Sequence, residues 1–132
     1  MKLIYFFVIL AFLGCDGTKE NAPVFKSNVD SIKLHLKEII DFEEIKISAY
    51  ETFIRKENVS TIRVDLFDTP NRIRTESEAR FYGKKIVDFL LLNLADKNEY
   101  NHFMIGFTHR DKNWRSSSET IFYHWPLMPN GS

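Results

Sequence analysis

The hydrophobic period of this chain changes from helical to alternating twice, and that constrains its fold more than any single motif. Val29, Ile32, Leu36, Ile39 and Ile40 recur at three- and four-residue steps, with Lys33, Lys37 and Glu38 off the stripe. From residue 45 the period is two: Ile45, Ile47, Ala49 and Phe53 alternate with Lys46, Ser48, Tyr50 and Thr52, and Ile62, Val64 and Leu66 with Thr61, Arg63 and Asp65. The order then repeats. Ala79, Tyr82, Ile86, Phe89 and Leu90 form a second helical stripe, followed by the alternating runs Phe103, Ile105, Phe107 and Ile121, Tyr123, Trp125. A pattern that buries one helix face cannot bury one face of a strand, so each change of period marks a change of element. The spacing predicts helices over 28–41 and 76–95 and strands over 44–55, 60–67, 102–109 and 119–125. This is an (αββ)2 order. The fold class it implies is α+β, a two-layer sandwich with a four-stranded, mainly antiparallel sheet and both helices on one face.

Local signals support these bounds. Ser27 and Asp30 form an acidic variant of the capping-box spacing, with Asn28 as an alternative cap, and Thr75 with Glu78 has the full spacing. Lys56–Val59 reads as the turn of the first hairpin, and Asp68–Asn71 as the turn that ends it. Gly83 stands inside the second helix at a cost of about 1 kcal/mol against alanine, which close approach of the first helix would explain. Ile47, Phe53, Val64, Leu66, Phe89, Leu90, Phe103, Ile105, Phe107, Ile121 and Tyr123 are the expected core.

Residues 1–14 stand apart from this pattern. After Lys2, Leu3–Leu13 is an unbroken apolar run that would cover only about 16 Å as a helix, too short for a bilayer core of about 30 Å. It reads as the apolar region of a signal peptide. Phe12-Leu13-Gly14-Cys15 follows at its end, then the polar segment Asp16–Asn21. This arrangement resembles the lipobox of bacterial lipoproteins, although Phe12 and Leu13 stand where that family favours leucine and a small residue. The resemblance implies cleavage before Cys15, acylation of its thiol, and a mature protein held on a membrane of the bacterial cell envelope, facing the periplasm or exposed at the surface. Two or three acyl chains hold a protein there stably where one does not. The same residues also allow a cleaved secretory peptide with an incidental cysteine, or a retained short anchor. The expected organisation is a signal peptide over 1–14, a lipidated N-terminus and tether over 15–26, one domain over 27–125 and a tail over 126–132.

Composition narrows the function. Lys plus Arg and Asp plus Glu number 18 each, so nothing favours a polyanionic nucleic acid as partner. Cys15 is the single cysteine, which excludes an intrachain disulfide and a cysteine-rich zinc site. The chain holds no glycine-rich phosphate loop, no G-x-S-x-G elbow and no H-E-x-x-H helix, and no cofactor is expected.

Two constellations carry candidate chemistry. If the last hairpin turns near Asn113–Trp114, Met104 opposes His124 and Gly106 opposes Phe122, which leaves His102 diagonal to His124. Two imidazoles and a thioether on one sheet face are a candidate soft-metal site, or independent residues of an outward face. The loop that follows the third strand, with Arg110, Lys112, Trp114 and Arg115, joins Arg72 and Arg74 as a candidate grip on an anionic headgroup, glycan or peptide. Asp65 and Asp68 straddle a strand end, with no cleft located around them. The face opposite the helices would carry Tyr50, Thr52, Ile54, Phe67, Met104, Phe122 and His124 without cover, and a contiguous exposed patch marks an interaction site unless tether or tail covers it. The expected function is therefore a non-enzymatic binding module anchored to the membrane through Cys15, with a protein or other envelope component as partner. The alternatives are a small hydrolase or metal-handling protein using His102 and His124, or an immunity or inhibitor-type lipoprotein.

Overall fold

A computed structural model of the chain describes residues 19–54, 56–111 and 118–126. Cys15, where the sequence suggests lipidation, the loop residues Lys112, Trp114 and Arg115, and residues 127–132 of the expected tail lie outside the described residues. The elements follow the expected order: β1 (Lys19–Asn21), α1 (Val29–Ile39), β2 (Glu44–Ile54), β3 (Glu57–Phe67), α2 (Glu76–Asn93), β4 (His102–Arg110) and β5 (Ser118–Trp125). The four long strands match the alternating runs, and β1 is an addition to them. The sheet order is β1-β2-β3-β4-β5, antiparallel at every pairing except the parallel pair β3–β4. That exception is a consequence of α2. The helix carries the chain back along its own layer, so β4 enters the sheet in the direction of β3.

Both helices pack on one sheet face. Ala49, Ile62 and Phe103 align across β2, β3 and β4, as do Ile47, Val64 and Ile105, and Ile45, Leu66 and Phe107. Tyr123 and Ile121 continue these rows on β5. Ile32 and Leu36 of α1 and Ala79, Ile86, Val87 and Leu90 of α2 close over them in a single cluster. Each large apolar side chain buried there contributes about 1.5–3 kcal/mol. Phe53 is the exception to the expected core, at 70% exposure. The 11 residues of β2 span about 36 Å as a strand and the 11 of α1 only about 16 Å as a helix. The hairpin tip, where Phe53 faces Asn58, also runs past both neighbouring strands, since β4 begins opposite Thr61 and β1 reaches only Glu51.

Local details differ from the sequence reading in three places. Asn28 caps α1, its side-chain oxygen accepting the Asp30 N–H at 2.7 Å, and Ser27 does not. The first hairpin turns earlier and more tightly than Lys56–Val59: β3 already begins at Glu57, and Lys56 takes the left-handed conformation at φ 66°. Gly83 is explained by a strand rather than by α1. A Cβ there would sit 2.4 Å from Cδ1 of Tyr123, so the absent side chain lets α2 lie directly on β5. Thr75 caps α2 as expected, accepting the Glu78 N–H, while the Glu78 carboxylate accepts the Arg74 N–H rather than that of Thr75.

The segment read as a tether is partly built into the domain. Residues 19–21 pair with the edge of β2, and the N–H groups of Lys26 and Ala95 bond the carbonyls of Asn93 and Val24. An exposed strand edge offers unpaired backbone groups, and β1 satisfies part of that edge.

Candidate functional site

The face opposite the helices carries four rows of side chains fixed by the register. They run Tyr50–Thr61–His102, Ser48–Arg63–Met104–His124, Lys46–Asp65–Gly106–Phe122 and Glu44–Phe67–Thr108–Thr120. Met104 opposes His124 and Gly106 opposes Phe122, the pairing expected from sequence. No helix among the described residues covers this face. It is less apolar than the sequence reading expected, because its aromatic rings are capped by arginines. The Arg63 guanidinium lies 5.5 Å from the Phe122 ring centre and that of Arg110 lies 4.7 Å from Phe67.

Each arginine is held by a carboxylate. Arg63 and Asp65 are two residues apart on β3 and so project from the same face, where Arg63 Nε donates to both carboxylate oxygens at 3.2 and 2.9 Å. The Asp65 side chain is only 10% exposed although no helix covers it. Gly106 makes that possible. A Cβ at Gly106 would stand 2.8 Å from Asp65 Oδ1 and 3.1 Å from the Phe122 ring, so the carboxylate and the ring occupy the space a side chain would take.

Arg110, assigned to the loop by the sequence, is the last residue of β4. Its backbone N–H and Nε donate to the two oxygens of Asp68, at 2.8 and 2.9 Å, and Nη1 donates to Glu44 at 2.8 Å. These bonds, that to Asp68 foremost, raise the guanidinium pKa above its ordinary value. Asp68 takes the left-handed conformation (φ 55°) to reach this position, and its own N–H bonds the Thr108 carbonyl. Asp65 and Asp68 therefore each hold a different arginine.

His102 and His124 meet, but not as chelating ligands. His102 Nε2 lies 3.2 Å from His124 Nδ1, and His102 Nδ1 lies 3.0 Å from the Thr61 hydroxyl. The rings are inclined by only 8° with centres 5.4 Å apart. That separation exceeds the N···N distance by about two ring radii, so the two nitrogens lie on the line between the ring centres and face each other. Such nitrogens share one proton. A chelated ion would need both lone pairs to converge away from that line. Among the described residues no group of three or more His, Cys, Asp or Glu could hold a metal ion. Burial, and then the neighbouring His124, lower the His102 pKa below its ordinary value.

Two concavities flank these features. A groove of about 480 Å³ crosses the open face, lined by Lys46, Ser48, Tyr50, Arg63, Thr108 and Thr120 among others. A cleft of about 360 Å³ at the sheet end is lined by Arg72, Arg74, His109 and Glu119, and there Arg72 is already paired with Glu119.

The structure thus gathers Tyr50, Phe67, Met104, Phe122 and Arg110 on one face, with His102 and His124 beside them. Sequence reasoning passed over Lys46, Arg63 and the pairing of Asp65 with Gly106. A legible signal did exist: Arg63 and Asp65 are opposite charges at a two-residue step on a strand, and a glycine interrupts the outward side of β4. No protein family, no curated protein and no solved structure matches this chain, so its reading rests on this geometry.

Proposed function

We propose that the domain is a lipid-anchored binding module of the bacterial cell envelope that engages its partner through the open sheet face. One observation carries this reading. A sheet face that no helix among the described residues covers presents aromatic rings with arginines fixed against them, and fixed side chains lose little entropy on binding. Such groups suit recognition, while the opposite face already supplies the core. The anchor would be Cys15. From Cys15 to Lys19 the backbone spans at most about 14 Å, so an acylated chain would keep the domain close to its membrane.

Two measurements test the two halves of the reading. Metabolic labelling with an alkyne fatty acid marks the wild-type chain and not Cys15→Ala; labelling that survives the substitution removes the anchor. A benzophenone crosslinker in place of Thr120 on the open face gives adducts in envelope membranes, and one in place of Lys84 on α2 does not. Adducts confined to Lys84 would place the partner on the helix layer instead.

A further inference from the structure

We propose that the groove across β2–β5 is a receptor for a polyhydroxylated ligand bearing an anionic group, a phosphate or a carboxylate, with Arg63 and Lys46 as its anion-binding pair. The inference rests on the open face being the binding face. It adds the chemical class of the occupant.

Arg63 is built as a receptor rather than as a surface charge. Its Nε is engaged by both oxygens of Asp65, and among the described residues neither Nη group has an acceptor. Asp65 in turn is seated in the space left by Gly106 and is nearly buried. A buried carboxylate is costly unless paired, so this arrangement spends stability to fix one guanidinium on an otherwise solvent-facing surface. The Phe122 ring lies against the guanidinium, its centre 5.5 Å from the guanidinium carbon. A guanidinium held through Nε keeps its Nη edge for planar, two-point recognition of an oxyanion.

Lys46 is the second cation. It stands opposite Asp65 in the register and lines the same groove as Arg63, and its ammonium makes no ion pair or hydrogen bond among the described residues. The remaining lining is the Asp65 carboxylate that Arg63 neutralises, the Phe67 ring, and the hydroxyls of Ser48, Tyr50, Thr108, Ser118 and Thr120. Thr108 and Thr120 share a hydrogen bond of 2.8 Å, which leaves further donor and acceptor capacity on each oxygen. Hydroxyl groups beside the open Nη edge of Arg63 and the Lys46 ammonium match a sugar-like ligand with one negative group and offer little to a purely apolar one. Arg110 differs, because Asp68 and Glu44 engage three of its N–H positions including the backbone. It braces the end of the groove, and the recognition falls to Arg63.

The experiment uses the full 15N-labelled chain in detergent, titrated in parallel with glucose 6-phosphate, glucuronic acid, inorganic phosphate and glucose. The expected result is saturable shifts of the Ser48, Arg63 and Thr108 amides with one or both anionic sugars, at least tenfold weaker binding of inorganic phosphate, and none of glucose. The two anionic sugars distinguish a phosphate from a carboxylate ligand. Lys46→Gln, which removes no structural bond, should weaken binding about tenfold, and Arg63→Lys should weaken it further because the planar fork is lost. Saturable shifts confined to the Arg72–Arg74 cleft would overturn the assignment. So would equal binding of glucose, or affinity unchanged in Lys46→Gln and Arg63→Lys. No shift with any probe, while the Thr120 crosslink persists, would reject this ligand class and leave the binding module standing. Loss of both would reject the two together.

Discussion

Ile62, Val64 and Leu66 point from β3 into the helix layer, while Arg63, Asp65 and Phe67 point from the same strand to the other side. Residues adjacent in sequence thus enter two chemical environments a few ångströms apart. On the helix side the contacts are apolar and non-directional, and Ile62, Val64 and Leu66 are fully buried. On the open side order comes from directional bonds: Asp65 to Arg63, Asp68 to Arg110, His102 to His124 and Thr61. A hydrophobic layer stabilises in proportion to the area it removes from water, whereas ion pairs with a nearly buried carboxylate contribute little net free energy because desolvation offsets their attraction. The helix-covered side therefore supplies the stability of the sheet, and the open side holds fixed polar groups on the platform so provided.

This contrast is sharpest in the response to truncation. Leu66→Ala or Phe103→Ala should lower unfolding free energy by about 2–5 kcal/mol, read from urea denaturation. Phe122→Ser, on the other face of the same sheet and 41% exposed, should cost far less. Equal losses would mean that both faces are core, and the division drawn here would fail.

The two strand-contacting glycines come next. Alanine is a better helix former than glycine, yet Gly83→Ala should destabilise by about 1–3 kcal/mol because its methyl group meets Tyr123. Gly106→Ala should displace the Asp65 carboxylate and with it Arg63, which anion titration would detect beyond any change in melting temperature. An unchanged or raised melting temperature for Gly83→Ala would refute the close contact between α2 and β5.

The open face should also carry a pH dependence that the apolar side lacks. The His102 pKa is lowered in the folded chain, by burial first and by His124 second. Unfolded, the imidazole titrates near about 6.5. The unfolded chain thus binds the proton first, and stability rises with pH in this range. The contribution is complete above the unfolded value and is lost as pH falls through the folded midpoint. An NMR titration should place His102 below its ordinary value, and His102→Gln should flatten stability in that window. A His102 midpoint above about 6.5 would contradict the lowering by burial and by His124.

The smallest effect belongs to Lys46→Gln, expected to leave unfolding free energy within about 0.5 kcal/mol. A larger loss would mean that Lys46 has a structural partner and is not held free for a ligand.

The period of the apolar residues and the caps were enough to locate the elements. Observed boundaries fall within about three residues of those read from alternation and helical spacing, and both helices cover the face they were expected to cover. The β4–β5 register was legible because a hairpin ties the pairing to the position of its own turn. The parallel pairing of β3 with β4 was not, since those strands are separated by a helix and no local rule relates Asp65 to Gly106 across it. Phe53 shows the same limit from the other side. Its alternation is that of a core residue, yet it sits at a hairpin tip that runs past its neighbouring strands and is left in solvent.

The candidate site was legible as a face but not as a constellation. Tyr50, Phe67, Met104 and Phe122 follow from alternation alone once the helices are assigned to one side. That Arg63 sits against Phe122, that a glycine makes room for a carboxylate, and that two imidazoles hydrogen-bond depend on neighbours 22 to 59 residues apart in sequence or on the far side of a crossover. Periodicity reports whether a side chain faces water or core, because that depends on the geometry of its own element. Which groups meet on the water-facing side depends on strand order and register, and these are set by the packing of the whole sheet against its helices.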